Sequence, residues 1–281
     1  MDVAIPPTYE AVPRPTDAEA ALPGEVAKQA IEGDVDMERA RELAAGCRAC
    51  DLWARATQTV FGHGPVPARW MLVGEQPGDV EDQRGLPFVG PAGRMLSDAL
   101  DAARIDPAAA FVTNVVKHFK WRPSPGGKRR LHETPNRTEI GACLPWVETE
   151  LRLVHPEALV LLGSTAAQGL LGPKVRVMRD RGQPYPSDLA PLVVITIHPS
   201  AVLRTRTATD RQNAFDSLVR DLKVAVSAIG GCAASIRTGG RSARETRRGS
   251  SDSGGRPHST RSAPSHGGLK IVVTEGTDCD A

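Results

Sequence analysis

Five segments of this 281-residue chain bring together residue types that can do chemistry. The first is Cys47-Arg-Ala-Cys50, with a third body cysteine at Cys143. Two cysteines three apart and a distant third, in a chain with no disulfide framework, read as ligation of a metal or a cluster. The second runs over residues 74–93, where five glycines and three prolines crowd a loop. Glycines there let backbone approach a ligand closely. Glu75 is the first carboxylate of that loop, and Phe88 is a ring suited either to stacking on a planar base or to the core. Spacing alone also allows a phosphate cradle, although the G-K-[ST] signature is missing. The third is Thr113-Asn-Val-Val-Lys-His-Phe-Lys120. The Asn114 amide offers a donor and an acceptor, matching a base edge with adjacent C=O and N–H groups, or equally a strand-end backbone. The fourth, residues 126–132, holds two glycines, then Lys128, Arg129, Arg130, Leu131 and His132, and reads as an exposed flexible loop. The basic run suits phosphate contacts, while His132 alone reads as a surface residue. The fifth is Ile197-His-Pro-Ser-Ala-Val-Leu-Arg204. His198, held by Pro199, can donate to a carbonyl oxygen as charge develops there. Ser200 and Arg204 can grip phosphate, and Leu203 is a wedge or a core residue. His63 and His155 read as structural or exposed.

The elements that must position these segments alternate. Residues 36–46, 90–103, 138–154, 164–171 and 210–229 carry helical patterns, Ser164 standing as an N-cap. Residues 69–74, 111–116, 159–162 and 192–197 are short apolar runs of buried-strand type. Such alternation predicts a three-layer α/β/α sandwich around a four-stranded parallel sheet. In such sheets functional groups collect beyond the carboxyl ends of the strands. Glu75, Asn114 to His118, and His198 all fall there, which points to one shared site.

Composition sets the outer limits. The chain is 40% hydrophobic and 24% charged, with no apolar run of the ~18–20 residues a membrane helix needs. Residues 1–35 are acidic and rich in proline and alanine, and residues 230–281 are rich in glycine, serine and arginine. Both read as disordered, leaving one domain over residues 36–229. The overall charge of +2 conceals a more basic body, which suits a polyanion partner or an ordinary solvated surface. No secretory leader is visible, so the expected location is cytoplasmic. No membrane and no obligate protein partner is expected, and the chain is read as a monomer.

Taken together, Gly74-Glu-Gln-Pro-Gly78, Pro87-Phe-Val-Gly90, Thr113–Lys117 and His198-Pro-Ser200 resemble the uracil-DNA glycosylase superfamily. Within it they resemble the bacterial iron–sulfur, family-four enzymes, from about Cys47 to about Val226. Two departures point to the UdgX branch, which becomes covalently attached to DNA. His118 stands where the usual family has a cysteine, and Lys-Arg-Arg-Leu-His is inserted over residues 128–132. The resemblance implies a [4Fe-4S] cluster on Cys47, Cys50, His118 and Cys143, a zinc site being the plainer alternative. It implies uracil-containing DNA as partner. Gly74, Gln76, Asp79, Phe88 and Asn114 would bind the base. Lys128, Arg129, Arg130, Ser200 and Arg204 would contact DNA. Glu75, His198 and His132 would be catalytic, His132 forming a covalent, single-turnover adduct. The alternatives are a conventional multi-turnover glycosylase and a catalytically silent module that binds uracil-containing DNA.

Overall fold

A computed structural model describes residues 35–238. Both terminal stretches read as disordered otherwise lie outside the described residues. A parallel sheet has the order β2-β1-β5-β6, with β1 Trp70–Gly74, β2 Ala110–Asn114, β5 Ala158–Leu162 and β6 Leu192–Thr196. The architecture is the expected three-layer sandwich. β1 and β5 are buried along their whole length, which is why their sequences are unbroken apolar runs.

Successive strand residues point to opposite faces, and the core divides accordingly. Leu72, Val160, Leu162 and Val194 pack on helices α3 (Pro91–Ala103), α7 (Pro199–Leu203) and α8 (Ala208–Thr238) through Leu96, Leu100, Val202, Leu218 and Leu222. Met71, Val73, Leu159, Leu161, Val193 and Ile195 pack on α4 (Arg137–Val154), α5 (Ser164–Leu171) and the short α6 (Val177–Asp180) through Val147, Leu151, Ala166, Ala167 and Val177. Helix α1 (Met37–Ala45) buries Ala40 and Ala44 against Phe61, Cys47 and Trp146.

Four expectations need correction. Residues 126–132 are not a flexible loop. They close an antiparallel hairpin of β3 (Trp121–Pro123) and β4 (Arg130–His132), in which Trp121 faces His132. Gly126 and Gly127, at φ +82° and +73°, make the turn that only glycine adopts cheaply. Ser164 is not an N-cap. Gly163 takes that place at φ +88°, because a Cβ there would lie 2.9 Å from the Cβ of His198. The second strand ends at Asn114, two residues early, although Val115 and Val116 still donate to Gly74 and Glu75 carbonyls. The last helix continues to Thr238 rather than stopping at 229. Gly230 and Gly231 suggested a stop, but a helix tolerates glycine at about 1 kcal/mol each.

Candidate active site

The chain leaves β1 toward α3 on one face of the sheet and leaves the neighbouring β5 toward α5 on the other. The crevice at this switch point is where parallel sheets hold ligands. Gly74 ends β1 opposite Asn114, which ends β2. A Cβ on Gly74 would lie 2.5 Å from Asn114 Oδ1 and 2.7 Å from the Phe88 ring, so glycine is required where the amide and the ring converge. Phe88 adopts φ +56°, a conformation rare for a bulky residue. Its loop is held from beneath. Buried Glu81, on the short helix α2 (Asp79–Arg84), accepts from the Gly90 N–H at 2.8 Å. Gly93 also allows the Phe88 carbonyl to approach, since a Cβ would come within 1.6 Å of it.

His198 closes the other wall. Its ring lies 6.3 Å from that of Phe88, inclined by 28°. Its Nδ1 accepts from the Ser200 N–H at 3.2 Å and meets Ser200 Oγ at 2.8 Å. Ser200, expected on phosphate, is thus engaged with His198. With Nδ1 accepting, the proton of the neutral ring sits on Nε2. Burial pushes the His198 pKa down to about 4, helped by the charges of Arg204 and His132. The ring is therefore a neutral donor at physiological pH.

His132 reaches the same site from β4. Its Nε2 lies 3.3 Å from Glu75 Oε1. Burial holds its pKa below the ordinary histidine value, against the opposing pull of Glu75 and with Arg204 adding to the depression. The second Glu75 oxygen accepts from the hydroxyl of Thr165 on α5. The hairpin is fastened by Gln76. Its amide donates to the carbonyls of Glu133 at 2.9 Å and Lys120 at 3.2 Å and accepts from the Lys120 N–H at 2.9 Å. Gln76 was expected to serve the base through its backbone, and its side chain holds the hairpin.

The basic run divides. Lys128 and Arg129 are exposed at the hairpin turn. Arg130 folds inward onto Asp79 at 2.5 Å and Asp82 at 2.6 Å, with its guanidinium 5.4 Å from the Phe119 ring centroid. Arg130 and Asp79, expected on phosphate and base, are thus paired with each other. Arg204 is exposed at the end of α7 beside Leu203, which is 38% exposed. Below β2, buried Lys117 joins Glu150 at 2.7 Å and donates to the Asn114 carbonyl at 2.8 Å, bracing the Asn114 backbone. Glu81, Asp82, Glu150 and Thr165 had no sequence signal. Each is an ordinary helical residue whose partner lies elsewhere in the chain. His63 pairs through its backbone with Val112, and His155 ends α4, so neither enters the site.

The cysteines gather apart from this crevice. Cys47, Cys50 and Cys143 are free thiols. Cys143 hydrogen-bonds Cys50, bringing the Cys50 pKa down to about 7. Cys47 is buried, accepts from Trp146 Nε1 at 3.3 Å, and shares a cavity of about 50 Å³ with His118. His118 Nε2 lies 2.9 Å from Thr59 Oγ1. Among the described residues no three His, Cys, Asp or Glu side chains close tightly enough to hold a single metal ion. The donor chemistry, three thiols and an imidazole in one region, fits a soft-ligand centre.

Fold and site define a class: a parallel α/β protein with two facing rings, Phe88 and His198, and the buried Asn114 amide at its switch point, and a histidine–carboxylate pair beside them. The chain belongs to the uracil DNA glycosylase superfamily, whose family model matches residues 61–223. It is 36% identical to a type-4 uracil-DNA glycosylase of Pyrobaculum aerophilum over 177 residues, 60% of this chain and 86% of that protein. It is 36% identical to another from Thermotoga maritima over 172 residues, 61% of this chain and 85% of that one. A third, from Sulfurisphaera tokodaii, is 31% identical over 175 residues, 59% and 76%.

Proposed function

We propose that this chain excises uracil from DNA and that His132 then captures the exposed sugar, in the manner of the UdgX branch. The observation that carries the capture step is His132 Nε2 standing 3.3 Å from Glu75 beside the base pocket. Excision is supported by the convergence of Phe88, Asn114 and His198 and by the names of the relatives.

A uracil inside a stack must first be extruded. Phe88 stacks on the extruded ring, and the Asn114 amide pairs with its C=O and N–H edge. The bond from the anomeric carbon to uracil N1 breaks with its electron pair leaving on the base. His198 Nε2–H donates to O2, where that charge collects. Donors of this kind contribute on the order of 10²–10³ in rate. The sugar is left cationic, and the Glu75 carboxylate stabilises it. One ring nitrogen of neutral His132 gives its lone pair to the anomeric carbon. The imidazolium so formed releases its other N–H proton to Glu75 or to solvent.

Lys128, Arg129 and Arg204 meet the DNA backbone. Cys47, Cys50, His118 and Cys143 would hold a [4Fe-4S] cluster, which would serve as a structural cross-link between the segment after α1, the segment after β2 and α4.

The test is a denaturing gel of protein incubated with a uracil-containing oligonucleotide. A band retarded through boiling, absent with thymine DNA and absent for His132→Ala, is expected. Free alkali-cleavable product with no retarded band would make the protein a water-using glycosylase. No product at all would leave a binding module.

A further inference from the structure

Thr165 lies outside the residues assigned to the base or the sugar, yet its hydroxyl reaches the Glu75 carboxylate. It is buried at the second residue of α5, directly beyond the end of β5. Its hydroxyl donates to Glu75 Oε2, and only the other oxygen, Oε1, faces His132.

We propose that Thr165 is a positioning residue that fixes one oxygen of Glu75 so that the other stays on His132, and that it thereby sets how the sugar is shared between imidazole and water. This rests on the capture reading above. The terminal torsion of a glutamate is broad and roughly two-fold, so nothing intrinsic to Glu75 chooses its orientation. The contact to His132, at 3.3 Å, is longer than the ~2.7–2.9 Å of a strong charge-assisted bond and cannot fix the carboxylate alone. Glu75 is 21% exposed, so solvent is free to compete for it. On the other side, the hairpin is already held by the Gln76 amide and by Arg130. The free variable in the pair is therefore the Glu75 carboxylate, and Thr165 removes that freedom. The first turn of α5 adds N–H groups that favour an anion in the same place.

The experiment compares wild type, Thr165→Val and Thr165→Ser on uracil-containing oligonucleotide under single-turnover conditions, measuring cross-linked and free abasic product separately. Valine keeps the shape and removes the hydroxyl. It is expected to lower the ratio of cross-linked to free product about fivefold, the worth of one ordinary hydrogen bond, and serine is expected to restore it. Both products falling in step in the valine variant would reduce Thr165 to a structural residue and overturn the proposal. Failure of serine to restore the ratio would do the same. Should wild type give no cross-link, the capture reading has failed, and the positioning claim is then judged by NMR titration of His132. The groups acting on that ring are Glu75, which raises its midpoint, and Arg204, which lowers it. A downward shift in Thr165→Val that serine reverses supports positioning. An unchanged midpoint refutes it.

Discussion

Replacing Arg130 by alanine separates two readings of the basic run by magnitude. Arg130 is 20% exposed and serves two carboxylates of unlike surroundings. Asp79 is 45% exposed, so its half of the pairing is worth under about 1 kcal/mol. Asp82 is fully buried, and without Arg130 its carboxylate keeps the Thr57 N–H, at 2.9 and 3.1 Å, but no cation. Stranding a buried charge costs about 3–5 kcal/mol, and the surviving hydrogen bonds reduce that to roughly 2–4. The hairpin can relieve the cost by lifting off, which would carry His132 away from Glu75. Urea unfolding should show the loss, and hydrogen exchange should place part of it in residues 121–132. Adding Asp82→Asn should recover about 1–2 kcal/mol, because a neutral amide tolerates burial better than an unpaired anion. Were Arg130 instead a free phosphate contact, Arg130→Ala would leave stability within about 0.5 kcal/mol and lower the salt slope of DNA binding by about one. That pair of results would refute the anchoring role.

Other expectations follow from the same geometry. His198→Asn should lower single-turnover excision by about 10²–10³ with little effect on DNA affinity. His198 also links stability to pH. Its folded pKa, about 4 against 6.5, means the unfolded chain takes up a proton first on acidification. The neutral ring's advantage is complete above pH 6.5 and is lost as pH falls towards 4, to a total of about 3 kcal/mol, and urea titrations of wild type against His198→Asn should show the difference. Cross-linking should weaken on acidification, because protonation removes the attacking lone pair, and should do so below the ordinary histidine range, since the His132 pKa is held down; rate–pH profiles test this. Gly74→Ala should abolish excision while leaving a folded chain, since its Cβ would collide with Asn114 Oδ1 and the Phe88 ring; product assays with circular dichroism check both. Cys143→Ser should remove visible absorbance and bound iron and lower the melting temperature, if four donors hold a cluster.

The four main strands were legible because burial makes β1 and β5 apolar throughout and leaves polar residues in β2 and β6 only at their carboxyl ends. The pocket was legible because Gly74, Phe88 and Asn114 sit in short contiguous motifs at strand ends, where topology sends them together. The hairpin was not. Its strands have three residues each, too few for a period, and Arg130 looks like a surface cation until Asp82 appears beneath it. Thr165 and Glu75 are 90 residues apart, and Thr113 and Glu150 are 37 apart. Such pairings exist only after the sheet forms, so no local signal announces them. Sequence singled out His132 and His198 but could not say which ring nitrogen of His198 is occupied by Ser200.

The most direct measurement is peptide mapping by mass spectrometry of the product from full-length protein and uracil-containing DNA, after nuclease and protease digestion. Capture by His132 requires the peptide carrying His132 to gain a deoxyribose fragment with uracil absent and to yield fragment ions that place the mass on the histidine. An adduct on another residue would contradict the assignment, and release of free uracil with the His132 peptide unmodified would contradict capture altogether.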